Sequence, residues 1–163
     1  MDEDALSKFW SFSIDFYGRT GVSEVCLELQ DFHDVDVNLV LYVLWRGLQG
    51  IELDRSAIAD LDNSLSPWRH NVVEPLRKIR RQLKELDTDL GSKDVNDLRN
   101  SVKDLELKSE FLAQKLLVKK IDTGINSRQA VGTITRGNLQ AYGEFLCRTL
   151  PEELCEKLIS NLG

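Results

Sequence analysis

The sequence of 163 residues is poor in the residues that punctuate or cross-link a chain: three prolines, ten glycines and three cysteines. So little proline and glycine excludes collagen-like, linker-like and low-complexity architectures. Cys26, Cys147 and Cys155 are odd in number and show no C-x-x-C spacing. That excludes a disulfide framework and a structural zinc site, and reads the three as small buried hydrophobes. No run approaches the roughly 20 apolar residues of a membrane helix, and the start Met1-Asp2-Glu3-Asp4 is acidic where a signal peptide is basic. A soluble, cytoplasmic protein with no membrane contact is the expectation. Neither G-x-x-x-x-G-K-[ST] nor G-x-G-x-x-G occurs, which removes the common nucleotide-binding loops. Only His33 and His70 are available as imidazole bases. No cofactor is implied.

What the chain has is helical periodicity. Phe9, Phe12, Ser13 and Phe16 recur at spacings of 3 and 4, with Trp10, Ile14 and Tyr17 on the adjoining stripe, so the first helix is apolar around most of its circumference. Gly18 and Gly21 bracket a turn, and a second helix carries Val22, Val25, Cys26, Leu29 and Phe32 inward. The run Leu39-Val40-Leu41-Tyr42-Val43-Leu44-Trp45 is apolar all round. It continues through Gly47-Leu48 without turn chemistry and has no alternating neighbour to pair with, which favours a buried helix over a strand. Asp54 predicts an N-cap for a short amphipathic helix through Leu65, and Ser66-Pro67 the start of another. Val72, Leu76, Ile79, Leu83, Leu86 and Leu90 make one stripe, with Pro75 kinking its start. Beyond a loop at Thr88–Ser92, Val95, Leu98, Val102, Leu105, Leu112 and Leu116 make another. The three tryptophans, Trp10, Trp45 and Trp68, sit on apolar stripes and read as core anchors.

The fold expected is therefore all-α, a single-domain bundle of about six to eight helices. It has a central buried helix at about 37–49 and a long antiparallel helical hairpin at about 67–120. The one domain, 1–163, divides into an acidic helical subregion (1–65), a basic hairpin (66–120), a polar flexible connection (121–135) and a C-terminal helix pair (136–163). Charge follows the same divisions. Residues 1–65 carry 4 basic and 13 acidic side chains, residues 66–120 carry 13 and 9, and the whole chain is at −6. A net-acidic chain is a poor nucleic-acid binder, and anion or nucleic-acid binding stays an alternative only through the Arg-rich face of the basic middle segment.

Two constellations carry possible chemistry. Asp31, His33, Asp34 and Asp36 place one imidazole and three carboxylates within six residues, a donor set for a divalent metal or a metal-assisted enzyme. The alternative is helix capping, since Asp34, Asp36 and Asn38 precede the core helix. The second constellation is Arg69, Arg77, Arg80, Arg81 and Lys84, cations beside the apolar stripe of the hairpin. They read either as a solvated flank pairing with the acidic N-terminal helices, or as a site for an anion or an acidic amphipathic segment of another protein.

The string Phe9-Trp10, Phe12-Ser13, Tyr17, Gly21-Val22, Cys26-Leu27, Leu29-Gln30-Asp31, Asp36-Val37-Asn38-Leu39, Leu41, Trp45, continued by Trp68, Leu76-Arg77 and Arg80-Arg81, resembles an uncharacterised family of small proteobacterial proteins, a domain of unknown function. The resemblance implies a bacterial cytoplasmic setting and a shared polar network of Gln30, Asp31, Asp36, Asn38, Arg77 and Arg80. It implies no catalytic residue, cofactor or partner. Val35 stands where such proteins often have glycine, which argues against a positive-φ turn at that position. The functional expectation is a non-enzymatic helical interaction module, an adaptor or regulator binding another protein through Arg69, Arg77, Arg80, Arg81 and Lys84.

Overall fold

The computed structural model describes residues 2–163 and is a single all-α domain. Its elements are α1 (Asp2–Tyr17), α2 (Val22–His33), α3 (Val37–Leu48), β1 (Ile51–Glu52), α4 (Arg55–Trp68), a π turn (Arg69–Val73), α5 (Glu74–Glu85), α6 (Ser92–Val118), β2 (Ile125–Asn126), α7 (Val131–Phe145) and α8 (Glu152–Ser160).

The core forms around α3, whose residues Asn38 to Gly47 are all buried. A helix with no polar face has to be covered on every side, and α1, α2, α6 and α7 pack around it. Asp36 fixes its start: the carboxylate accepts the Leu39 N–H at 3.1 Å. Phe9 from α1 stacks on Trp45 with centroids 5.0 Å apart and meets the edge of Tyr42 at 5.3 Å. On the opposite side α7 approaches closely at Gly47, where an added Cβ would lie 2.6 Å from Thr135 Cγ2 and 3.0 Å from its Cα. Asn138 then ties α7 to the end of α3. Its amide donates to Val43 O and Ile51 O, and its oxygen accepts from Leu53 N–H.

The largest departure from the sequence expectation lies between residues 55 and 85. Ser66-Pro67 starts no helix. α4, the π turn and α5 are one continuous rod, and Pro67 lies inside it. The carbonyl that Pro67 leaves without a donor belongs to Asn63, which is exposed to water, and Asn71 Nδ2 returns to Pro67 O at 2.8 Å. Pro75 is absorbed by the π turn, in which Glu74 N–H donates to Arg69 O: the widened turn relieves the clash its ring would make with the preceding turn.

Smaller corrections follow from local geometry. The 121–135 connection is partly ordered, because β2 pairs antiparallel with β1 and Ser127 N–H donates to Gly50 O. α7 starts at Val131, inside the expected connection, and Thr135 is buried in it with its hydroxyl donating to Val131 O. The left-handed turn beside α3 falls on Asp34, φ 55°, while Val35 takes no positive φ, as its side chain predicts. Phe32 is 75% exposed: at 100° per residue it sits about 60° off Leu29, at the edge of the α2 stripe. Of the cysteines, only Cys26 is fully buried and Cys147 is exposed, while Trp10 and Trp68 are half-buried beside a buried Trp45.

Candidate functional site

The acidic constellation of residues 31–36 disperses. Asp31 reaches Arg81 on α5 at 3.2 Å, Asp34 reaches Arg148 at 2.6 Å, and Asp36 turns inward to Arg69 at 2.6 Å. His33 ends α2 without joining them. Three carboxylates directed at three arginines do not converge on one point, and among the described residues no group of three His, Cys, Asp or Glu side chains is placed to hold a metal ion.

Arg69 is the most buried of the cations. Its Nε donates to Asp36 and its terminal Nη2 to Asp62 on α4, both at 2.6 Å, with side-chain exposures between 11 and 17% across the three. Burial alone would push this guanidinium down, but the two carboxylates outweigh it and hold Arg69 above its ordinary range. Asp36 N–H also donates to Tyr142 Oη at 2.8 Å, which ties the cluster to α7, and burial raises the Tyr142 phenol. Further along the rod, Arg80 forks onto both oxygens of Glu106 in α6, and Arg77 lies 3.5 Å from Glu106 and from Glu110. Burial pushes the Glu110 carboxyl up to about 7, with Arg77 opposing and Glu106 adding to the shift. Of the five cations expected at a partner site, Arg69, Arg77, Arg80 and Arg81 are thus engaged within the molecule; Lys84 is exposed and in no ion pair among the described residues.

The polar residues expected to form one network fall into separate clusters. Asn38 Oδ1 and Ser13 Oγ both accept from Gln114 Nε2, at 3.1 and 2.9 Å, in the buried contact of α1, α3 and α6. Asp36 belongs to Arg69, Asp31 to Arg81, and Gln30 is half-buried on α2 without a side-chain hydrogen bond among the described residues. Asp62, Gln114, Glu106 and Asn138 went unnoticed in the sequence. Glu106 had a signal available, since it falls on the buried side of the α6 period.

A different surface stands open. α5 and α6 form the expected hairpin, running antiparallel at a level set by Arg80–Glu106. On α5, Arg81 marks the side facing α2, and 100° per residue places Ile79 and Leu86 on the far side. On α6, Phe111 and Gln114 mark the side facing α1 and α3, and Leu98 and Leu105 project opposite them. Both stripes therefore lie on one broad outward face, with Ile79 level with Leu105 and Leu86 level with Leu98. The four are 44%, 54%, 58% and 55% exposed, in that order. Ile79, Leu83 and Leu86 line a shallow groove of about 460 Å³ there. A larger cleft of about 690 Å³ lies between the β1–β2 pair and α7. Of its charged lining, Glu52 is engaged by Ser127 and Gln129, Arg136 by Glu156 and Asp54 as the cap of α4, while Arg55 and Glu144 join no ion pair among the described residues.

Residues 8–117 match the model of a family described as protein of unknown function (DUF2390). The chain belongs to this family. The family segment runs from α1 to the last turn of α6, so it holds the Arg69–Asp36–Asp62 cluster, the Arg77 and Arg80 pairs and the whole of the open hairpin face. No curated protein and no solved structure matches the chain. Among the described residues no helix is long and apolar enough to cross a membrane.

Proposed function

We propose that this family member is a non-enzymatic protein–protein interaction module, a cytosolic adaptor or regulator, and that its docking surface is the outward face of the α5–α6 hairpin. One observation carries the reading: four aliphatic side chains at helical spacing share a face and stay about half exposed. A contiguous apolar patch of this kind, rimmed by charge, is what a helix-packing partner covers. The engaged state of Arg69, Arg77, Arg80 and Arg81 moves the proposed contact from the arginines to the leucines. Three unpaired cysteines, one of them exposed, support a reducing compartment.

The test is site-specific photocrosslinking in living cells. A photoreactive residue at Leu98 gives a protein adduct that is lost when Leu86→Glu is added, whereas one at Lys157, exposed on α8, gives none. Equal labelling from both positions, or none from Leu98, removes the hairpin face as a docking surface.

A further inference from the structure

Charge is segregated along the hairpin. Its tip, residues 85–97, carries Glu85, Asp87, Asp89, Asp94 and Asp97 against the single cation Lys93. The shaft below it carries Arg77, Lys78, Arg80, Arg81 and Lys84 on one arm and Arg99, Lys103 and Lys108 on the other, against Asp104, Glu106 and Glu110. Lys78 and Lys108 flank the base of the open face, are exposed, and join no ion pair among the described residues. The apolar rows thus sit between a cationic base and an anionic tip on a single surface.

From this we infer that the partner of the hairpin face is a second copy of this chain, docked with its hairpin reversed. The inference rests on the interaction-module reading above and names the partner of that same site. A twofold axis perpendicular to the helices, passing near Leu83 and Val102, lays the Ile79–Leu105 row of one chain on the Leu86–Leu98 row of the other. It also places the acidic tip of each on the lysine-bearing base of its partner. The parallel twofold arrangement fails on charge, because it sets Lys78 and Lys108 against Lys108 and Lys78 of the second copy and tip acids against tip acids. Self-complementarity under a twofold axis is the requirement for a closed dimer. The half-exposed side chains supply on the order of 400 Å² of apolar surface per chain, and the charged ends bring the contact toward the roughly 800 Å² per partner of a stable interface. The α1–α2 side of the molecule lies behind the hairpin and does not obstruct the approach.

Sedimentation equilibrium of the full chain with charge-reversed variants tests both the partner and its orientation. One variant carries Lys78→Glu and Lys108→Glu, the other Asp89→Lys and Asp94→Lys, all at exposed positions. The wild type is expected to dimerise, each variant alone to associate at least about tenfold more weakly, and the equimolar mixture to recover a heterodimer, since only the mixed pair opposes unlike charges at both ends. Leu86→Glu with Leu98→Glu leaves a folded monomer by circular dichroism. A wild type that stays monomeric at high micromolar concentration overturns the second-copy proposal; if Leu98 then still crosslinks to a protein of different mass, the interaction-module reading stands without it. A dimer indifferent to the leucine substitutions overturns both, and a mixture that fails to recover association overturns the reversed orientation.

Discussion

Replacing Arg69 with methionine keeps most of the aliphatic bulk and removes the guanidinium that joins α3's start to α4. The charges it leaves behind are the point. Asp36 and Asp62 have side chains only 11% and 17% exposed, and both spend their ion pair on this one residue. Breaking a buried pair by deleting one partner typically costs about 3–5 kcal/mol, because the orphaned charge keeps its desolvation penalty without its compensation. Two carboxylates face each other here, which places Arg69→Met at the upper part of that range. Total stabilities of about 5–15 kcal/mol make this a large fraction. For a chain of this size each kcal/mol moves Tm by about 2–4 °C, so a fall on the order of 10 °C or more is expected. Urea unfolding followed by circular dichroism at fixed pH gives the number directly. Arg69→Met with Asp62→Asn should recover part of the loss, since one of the opposed charges is then gone. A single variant within about 1 kcal/mol of wild type refutes the reasoning and returns Arg69 to the list of cations free to meet a partner.

Glu110→Gln should raise stability at alkaline pH. The folded pKa of about 7 lies above the ordinary 4.5, so the group's stabilising contribution is full below about 4.5 and is lost as pH rises through about 7. The variant should be flatter over that window and about 1 kcal/mol more stable at pH 8 by urea titration, discounted for partial solvent access; a variant that loses stability at pH 8 contradicts this. Gly47→Ala ought to gain up to about 1 kcal/mol of helix propensity, yet the 2.6 Å approach to Thr135 Cγ2 should turn that into a net loss of roughly 2 kcal/mol, relieved in part by Thr135→Ser. Leu41→Asp, at a position 4% exposed, should abolish the cooperative thermal transition. A thiol reagent should label Cys147 rapidly in the folded protein and Cys26 only after unfolding, because Cys26 is buried and its thiol is pushed up to about 12 by that burial.

Features set by near neighbours in the chain were readable in advance. Asp36 and Asp54 are caps because a cap needs only a side-chain oxygen three residues before an N–H, and both make that bond, Asp54 to Ala57 at 2.8 Å. The all-apolar run at 39–45 had to be a buried helix once no pairing strand existed, and it is. Features set by juxtaposition were not. Asp62 is an ordinary acid of an amphipathic helix until α4 lies beside the start of α3, and Gln114 reads as surface until Ser13 and Asn38 arrive from segments 101 and 76 residues away. Ser66-Pro67 misled because the local start signal is outweighed by the packing of a rod that is already helical on both sides. Periodicity also predicts that Leu86 and Leu98 lie on an apolar face, but says nothing of whether another element covers that face.

The uneven charge of the sequence now has a physical account in two parts. The acidic residues 1–65 and the basic middle attract each other within the fold: Asp36 and Asp62 take Arg69, and Asp31 takes Arg81. Glu106 and Glu110, acids of the basic segment itself, take Arg77 and Arg80. These pairs consume the arginines nearest the body of the molecule and brace the rod against α6 and α2. Beyond Arg81 the hairpin runs clear of the N-terminal helices, and the ion pair found there among the described residues, Lys93–Asp97, is local to the tip. What is left over is a row of half-exposed leucines with lysines at its base and aspartates at its tip. A chain selected only to fold has no reason to keep such a row apolar, since one glutamate or lysine at Leu86 or Leu98 would solvate it at a cost near zero to the core. That row, flanked by Lys78 and Lys108, which join no ion pair among the described residues, is the physical ground on which the proposed docking surface rests.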